Sequence, residues 1–490
     1  MKNTKWQCPK TALFLLLVFA VMAPLFAKSR PAAATTRIVI FHGNDIHGKI
    51  DNFAKIAWII EQERKKNPNV FYFIAGDNFT GNPVIDQYDP PGEPMLQLLN
   101  FLRLDLLSPG NHEFDFGLDN LHEFAARARF ALVSANIEAA PGTFPQLRPY
   151  VVLETKDQIK LAVFGLIQIE KDSGKPSTHP DKVVGLTFSD PLQKAGEFKK
   201  LKANNQILIA LTHIGYDVDL LLAGQMPELD VIIGGHSHTR VEPAETSNGV
   251  LIAQAGNDNK FLGRVELLVQ NGRVIGKKGE LIDLSGPLAE DAEVKAMIEK
   301  FNRNPAFARV LAIAPFPING KDALGSLMTD AMRSIHGLDV AFQNNGGIRV
   351  NRLPLEITVK DIYTLDPFGN QIVEIKMNAA EISDLIRNSF ARQGSIDLQV
   401  SGMRYTVRSD RQNQIKEIEL ANEDGTPLPA GKLFKVGVSS YVASAYDFIH
   451  SDPGRSLQAT TAETLIRFLE RGAALHIYRD LQRAFWETLE

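Results

Sequence analysis

Five short apolar runs in the first half of this chain each lead into an aspartate, an asparagine or a histidine, and helical patterns separate them. That arrangement constrains the fold more than any other feature. The runs are "RIVIF" (37–41) before "HGNDIHGK", "VFYFIAG" (70–76) before Asp77, "LDLLS" before "PGNHEFD", "QILIALT" (206–212) before His213, and "VIIGG" (231–235) before "HSHT". Between them, Phe53, Ile56, Ile59 and Ile60 share one face at helical spacing, and "PMLQLLNFLR" (94–103), "LDNLHEFAARA" (118–128) and a stretch from about Pro191 to Asn204 read the same way. A further buried strand is expected at "KLAVFGLI" (160–167). Strands alternating with helices predict an α/β domain, largely parallel and covered by helices. In such sheets ligands gather beyond the carboxyl ends of the strands, so these polar ends should converge on one edge.

Each end alone has an ordinary explanation. An aspartate after a strand, such as Asp77, commonly caps a turn or helix. A lone His213 would more often be a satisfied core histidine than a ligand. "HSH" alone fits a single zinc site. In "LLSPGNHEFDFGLDN" (106–120), however, the turn needs only Pro-Gly and one Asn or Asp. Asn111, His112, Glu113 and Asp115 together are a surplus of ligands and proton carriers. Taken jointly, the donors are carboxylate, amide and imidazole with no sulfur, which suits zinc, manganese, iron or cobalt. Their number argues for two divalent ions, an arrangement that can polarise a phosphoryl group and activate water. His42, His122 and His179 are read as surface or helix-face residues, as are His336, His450 and His476.

The chain ends and the overall charge narrow the setting. Lys2, Lys5 and Lys10 precede "TALFLLLVFAVMAPLFA", with small residues at Ala27 and Ala32 to Ala34. This pattern reads as an export signal over 1–34, with an uncleaved anchor as the alternative, and places the protein in the periplasm or outside the cell. The single cysteine, Cys8, lies before the apolar run, so the exported product would hold no disulfide. A net charge of −4 over 490 residues offers no electrostatic basis for binding nucleic acid or an anionic membrane. "DLSGPLAEDAEVKAMIEKFNRN" breaks the pattern and reads as an exposed, charge-rich linker helix. Beyond it, helices such as "ALGSLMTDAMRSI" mix with strands such as "DVAFQ", "QIVEIKM", "MRYTV" and "LFKVGV", and "TAETLIRFLERGAALHIYRDLQRAF" reads as a final helix. The expected division is a signal over 1–34, a catalytic domain over 35–285, a linker over 286–320 and an α+β domain over 321–490.

The series "ND-H", "GD", "GNHE", "TH" and "GGHSH", in this order, resembles the metallophosphoesterase fold. "NNGGIR", "DPFGN" and "SSYVASAYDF" resemble the C-terminal domain of the 5′-nucleotidase family, which includes UDP-sugar hydrolases and 2′,3′-cyclic nucleotide phosphodiesterases. The resemblance implies that Asp45, His47 and His238 hold one metal ion, that Asn111, His213 and His236 hold the other, and that Asp77 bridges them. It implies that His112 sits over the phosphate, stabilises the transition state and helps protonate the leaving oxygen, with Asp115 orienting its ring. Glu113 is read as structural. In the second domain it implies that Asn344 and Arg349 contact the nucleotide, that Phe368 and Tyr441 sandwich the base, and that Asp447 receives the ribose hydroxyls.

The sequence departs from the family pattern at Gly43, at Tyr441, at "ASAY" where a glycine-rich loop is usual, and at Lys321 where an arginine often precedes the "LGSL" helix. The expected activity is hydrolysis of a 5′-nucleotide to nucleoside and phosphate, with a small-molecule nucleotide as partner. The alternatives are a UDP-sugar, a cyclic nucleotide, a dinucleotide, or a sulfur ester as in the related thiosulfohydrolases. A non-catalytic exported binding protein for nucleotides or metal ions is the reading of another class, and it has no need of a proton carrier such as His112.

Overall fold

The computed structural model describes Met1 and residues 35–140, 144, 147–171 and 173–489. The expected export signal lies outside the described residues, among which no helix is long and apolar enough to cross a membrane.

The first half forms two sheets packed face to face and flanked by helices, in keeping with the expected α/β domain. The first runs in the order Arg273–Asp283, Phe261–Gln270, Thr36–Gly43, Val70–Ile74, Leu106–Leu107, Ala131–Val133 and Leu147–Arg148. The second runs Glu245–Ser247, Val250–Ala253, Val231–Ile233, Ile207–His213, Lys160–Ile167 and Tyr150–Glu154. Alternation along each strand makes both faces apolar. On Thr36–Gly43, Ile38 and Ile40 point between the sheets, while Val39 and Phe41 point to the helices outside. On Ile207–His213, Ile207, Ile209 and Leu211 face the first sheet, while Leu208 and Ala210 meet the outer helices. Such all-apolar strands do not reveal from sequence whether a second sheet or a helix covers a given face, so strand–helix alternation alone does not give the strand order of the two sheets.

The central strands of each sheet are parallel, so their carboxyl ends lie together. The hydrogen bond from His213 Nδ1 to the Ala75 carbonyl, at 2.7 Å, ties the two edges directly. The polar strand ends therefore converge as expected, although from two sheets.

The 286–320 region differs from an exposed linker. Asp291 caps the helix Ala292–Asn302, and Val294, Ile298 and Phe301 form a stripe buried in the first core. At about 1.5–3 kcal/mol for each large apolar side chain buried, this stripe fixes the helix to the first half. Charged residues on its other face dominate the sequence and hide the stripe. The second half is built on a five-stranded sheet in the order Leu398–Ser401, Val340–Asn344, Phe434–Ser439, Gln371–Met377 and Arg455–Thr460. The final stretch is not one helix. Thr461–Glu470 ends at Arg471-Gly472, with Gly472 at φ 81°, and Ala484–Thr488 pairs in parallel with Arg404–Ser409.

Candidate active site

The loops after the first two strands are zipped together by backbone. Asp45 N donates to Gly76 O at 2.9 Å, His47 N to Asp77 O at 2.9 Å, and Gly48 N to Asn78 O at 2.8 Å. Glu113 holds the third loop to the second. One carboxylate oxygen accepts from Gly110 N at 2.6 Å and Asp77 N at 2.9 Å, and the other from Asn78 N at 2.7 Å and Asn78 Nδ2 at 3.0 Å. Every acceptor site of this fully buried side chain is thereby spent on structure, as its reading from sequence required. Gly110 allows the close approach: a Cβ there would overlap Asp77 Oδ1 and His213 Nε2.

These loops carry unusual backbone. Asp45 (φ 49°), His47 (φ 49°), Asp77 (φ 58°), Thr80 (φ 65°), His236 (φ 79°) and His238 (φ 56°) all occupy the left-handed region. Each such residue costs on the order of 1–3 kcal/mol and persists only where its surroundings impose it, and such costs concentrate at functional sites. The strain here falls on five of the seven side chains expected to bind metal.

The donors meet. Among the described residues, three groups have ligand atoms within 4.8 Å of one another: Asp45, His47 and His238; Asp45, Asp77 and His213; and His47, Asp77 and His112. His213 Nδ1 donates to a carbonyl, which leaves Nε2 as the ring atom that faces the cluster; it is buried and lies 3.1 Å from Asp77 Oδ2. His47 Nδ1 likewise faces the Thr80 carbonyl at 3.2 Å, turning Nε2 to His238 Nε2 at 3.1 Å. Asn111 Nδ2 donates to Ser177 O at 3.1 Å, which leaves Oδ1 pointing inward, 3.2 Å from His236 Nδ1. Converging lone pairs and carboxylates fit a divalent cation. Burial disfavours charge on His213, yet Asp77 and then Asp45 outweigh it and raise the ring to about 10. The pocket favours positive charge.

His112 stands over this cluster. Its Nδ1 donates to Asp115 Oδ2 at 2.6 Å, and its ring centroid is 5.2 Å from His47 and 5.8 Å from Phe368. Burial opposes its charge, but Asp115, ahead of Asp77, raises it above the ordinary imidazole value. Two hydroxyls that sequence reasoning missed also hold Asp115: Thr80 Oγ1 at 2.6 Å and Thr178 Oγ1 at 2.9 Å. Threonines are too common to signal such a role, and only the fold brings them to one carboxylate.

A cavity of about 670 Å³ runs from the cluster to the second domain, and Asn344, Arg349, Phe368 and Tyr441 line it as expected. Arg349 Nη2 lies 3.4 Å from both ring nitrogens of His47. Asp366 anchors the Pro-Phe-Gly turn by accepting from the Thr461 hydroxyl and the Phe368 amide. Asp447 is not brought to the cavity; it is exposed. The extended backbone at Tyr446 sends successive side chains to opposite sides, so Tyr446 turns inward to Asp397 and Asp447 turns out. The sequence signal was the "ASAY" departure itself, since a tyrosine replaces the small residue there. Lys321 does not line the cavity either. Its ammonium clamps the carbonyls of Asn345 and Ile348, and burial, with Arg349 nearby, lowers it to about 8. His179 lines the cavity and His42 is buried, so neither is a plain surface residue.

Residues 38–240 match the model of the calcineurin-like phosphoesterase family, and residues 309–450 match that of the 5′-nucleotidase C-terminal domain. The chain is 26% identical to a 5′-nucleotidase of Vibrio cholerae, with 96% of each chain covered. It is 26% identical to the trifunctional nucleotide phosphoesterase protein YfkN of Bacillus subtilis over 84% of this chain but 32% of that protein, so it spans about a third of that relative. Its fold superposes on a 5′-nucleotidase precursor from Thermus thermophilus with a TM-score of 0.76 at 25% identity, covering 92% of this chain and 99% of that one.

Proposed function

We propose that this chain, which belongs to the two-domain 5′-nucleotidase family of metal-dependent phosphate-ester hydrolases, takes a 5′-nucleotide into its interdomain cavity and releases a nucleoside and inorganic phosphate. The observation that carries this reading is a single cavity, lined by Asp77, Asn111, His236 and His238 at one end and by Phe368 and Tyr441 of the second domain at the other. The hydrolytic half is assigned to 35–285 and the substrate-reading half to 321–490, with export directed by 1–34.

In this reading Asp45, His47 and His238 hold one divalent ion, Asn111, His213 and His236 hold a second, and Asp77 lies between the two. When bound, the ions supply Lewis-acid charge for the phosphoryl oxygens and lower the pKa of water. The remaining work falls to side chains. The planar fork of Arg349 suits phosphoryl oxygens, and its reach to His47 puts it where they would lie. Because Nδ1 of His112 is committed to Asp115, Nε2 carries the proton delivered to the leaving ribose oxygen. Asp115 keeps the ring in that tautomer and favours its charged form. Asn344 binds the nucleotide beside Arg349, and Phe368 and Tyr441 receive the base by stacking.

Phe368→Ala tests the nucleotide reading. The Michaelis constant for AMP should rise about tenfold or more, in line with base–aromatic stacking worth about 1–3 kcal/mol, while a small aryl phosphate is hydrolysed as before. Equal losses on both substrates would make Phe368 a packing residue and remove the support for a base subsite.

A further inference from the structure

We infer that Thr178 is a positioning residue for the reaction, acting from a strap that the second domain holds in place. The inference rests on the proposed role of the His112–Asp115 pair. A carboxylate fixed through one oxygen can still turn about its Cβ–Cγ bond. Asp115 Oδ2 is engaged by His112 and by Thr80, both from the catalytic loops at 2.6 Å. Oδ1 is engaged from the opposite side, by the Thr178 hydroxyl at 2.9 Å, and Thr178 is only 7% exposed. Thr178 therefore sets the plane of the carboxylate and, through it, the direction of the imidazole.

The neighbours of Thr178 face both ways. The Ser177 carbonyl accepts from Asn111 Nδ2 at 3.1 Å, while the Ser177 hydroxyl partners the phenol of Tyr441. His179 Nε2 lies 3.3 Å from Ser444 Oγ, and Glu170, upstream on the same connection, lies 3.7 Å from Arg392. Tyr441, Ser444 and Arg392 all belong to the second half of the chain. Pro176 and Pro180 flank the three residues Ser177 to His179 and limit their freedom. One short strap thus touches the proton carrier's support on one side and the substrate-reading domain on the other. Contacts from the second domain hold the strap, and the strap completes the hydrogen bonding of Asp115.

The test is steady-state kinetics on AMP with the metal-loaded chain lacking residues 1–34, comparing Thr178→Val with Thr178→Ser. Thr178→Val should lower kcat about tenfold or more, with KM and bound metal unchanged, and Thr178→Ser should restore kcat to within about twofold of the parent. If Thr178→Val is insoluble, Thr178→Ala carries the same comparison. Arg392→Met should lower kcat in the same direction, and its effect should shrink when Thr178→Val is already present. Parent-like kcat in Thr178→Val, or equal losses in the Val and Ser variants, overturns the positioning role. Strictly additive losses with Arg392→Met overturn the coupling to the second domain. His112→Ala serves as the control: parent-like turnover in that variant faults the reading of His112 rather than that of Thr178.

Discussion

Asp77→Ala is expected to abolish turnover and to reduce the metal content of the purified protein. Asp77 belongs to two of the three donor groups and lies between the residues assigned to the two ions. Its Oδ2 is 3.1 Å from His213 Nε2, and its Oδ1 accepts from the backbone amide of His112 at 2.9 Å. Removing the carboxylate therefore takes a shared anion from both ions and an anchor from the proton carrier. Losing the charge stabilisation of even one ion is worth several kcal/mol, so kcat should fall by about 10³-fold or more. Elemental analysis and kcat on AMP check this together. An Asp77→Ala protein that keeps two ions per chain and near-parent turnover would show that Asp77 is not the shared ligand.

His112→Ala should lower kcat on AMP by about 10²–10⁴-fold while leaving the metal content intact. The two readouts separate the possible roles of this residue. His112 lies in a donor group with His47 and Asp77 and could on distance alone be a ligand. Its Nδ1, however, is committed to Asp115, and its ring is turned toward Phe368 and the cavity. A proton carrier and a ligand also differ in their leaving-group dependence. An aryl phosphate with an acidic phenol needs little protonation as it departs, so His112→Ala should lose much less on that ester than on AMP. Loss of an ion from the variant, or equal losses on both esters, would make His112 a ligand or a structural residue instead.

Much of the hydrolytic end was legible because its parts are local. Asp45, His47, Asp77, Asn111, His213, His236 and His238 each follow a short apolar run, and a parallel strand delivers its carboxyl end predictably. Glu113 was read as structural through the family resemblance, which gives the chemical roles next to it to Asn111, His112 and Asp115. What escaped the sequence was set by tertiary partners. Thr80 and Thr178 matter only because folding brings both hydroxyls to one carboxylate across nearly a hundred residues of chain. Asp447 was misplaced because one extended residue, Tyr446, decides which of two neighbours faces the cavity. The helix Ala292–Asn302 looked exposed because three buried apolar residues are outnumbered by charged ones in the string. The closing strand Ala484–Thr488 follows helical residues too closely for periodicity to separate them, and it exists by pairing with a strand far upstream.

The most direct measurement is chromatographic product analysis. The chain without residues 1–34, loaded with manganese or zinc, would be incubated with AMP, UDP-glucose, 2′,3′-cyclic AMP and thiosulfate, each with and without chelator. The account predicts adenosine and phosphate from AMP, suppressed by chelator, at a rate exceeding that on the other substrates. No turnover of any nucleotide by protein that retains its metal would contradict it, and the assignments of Asn344, Arg349, Phe368 and Tyr441 to a nucleotide would fall with it.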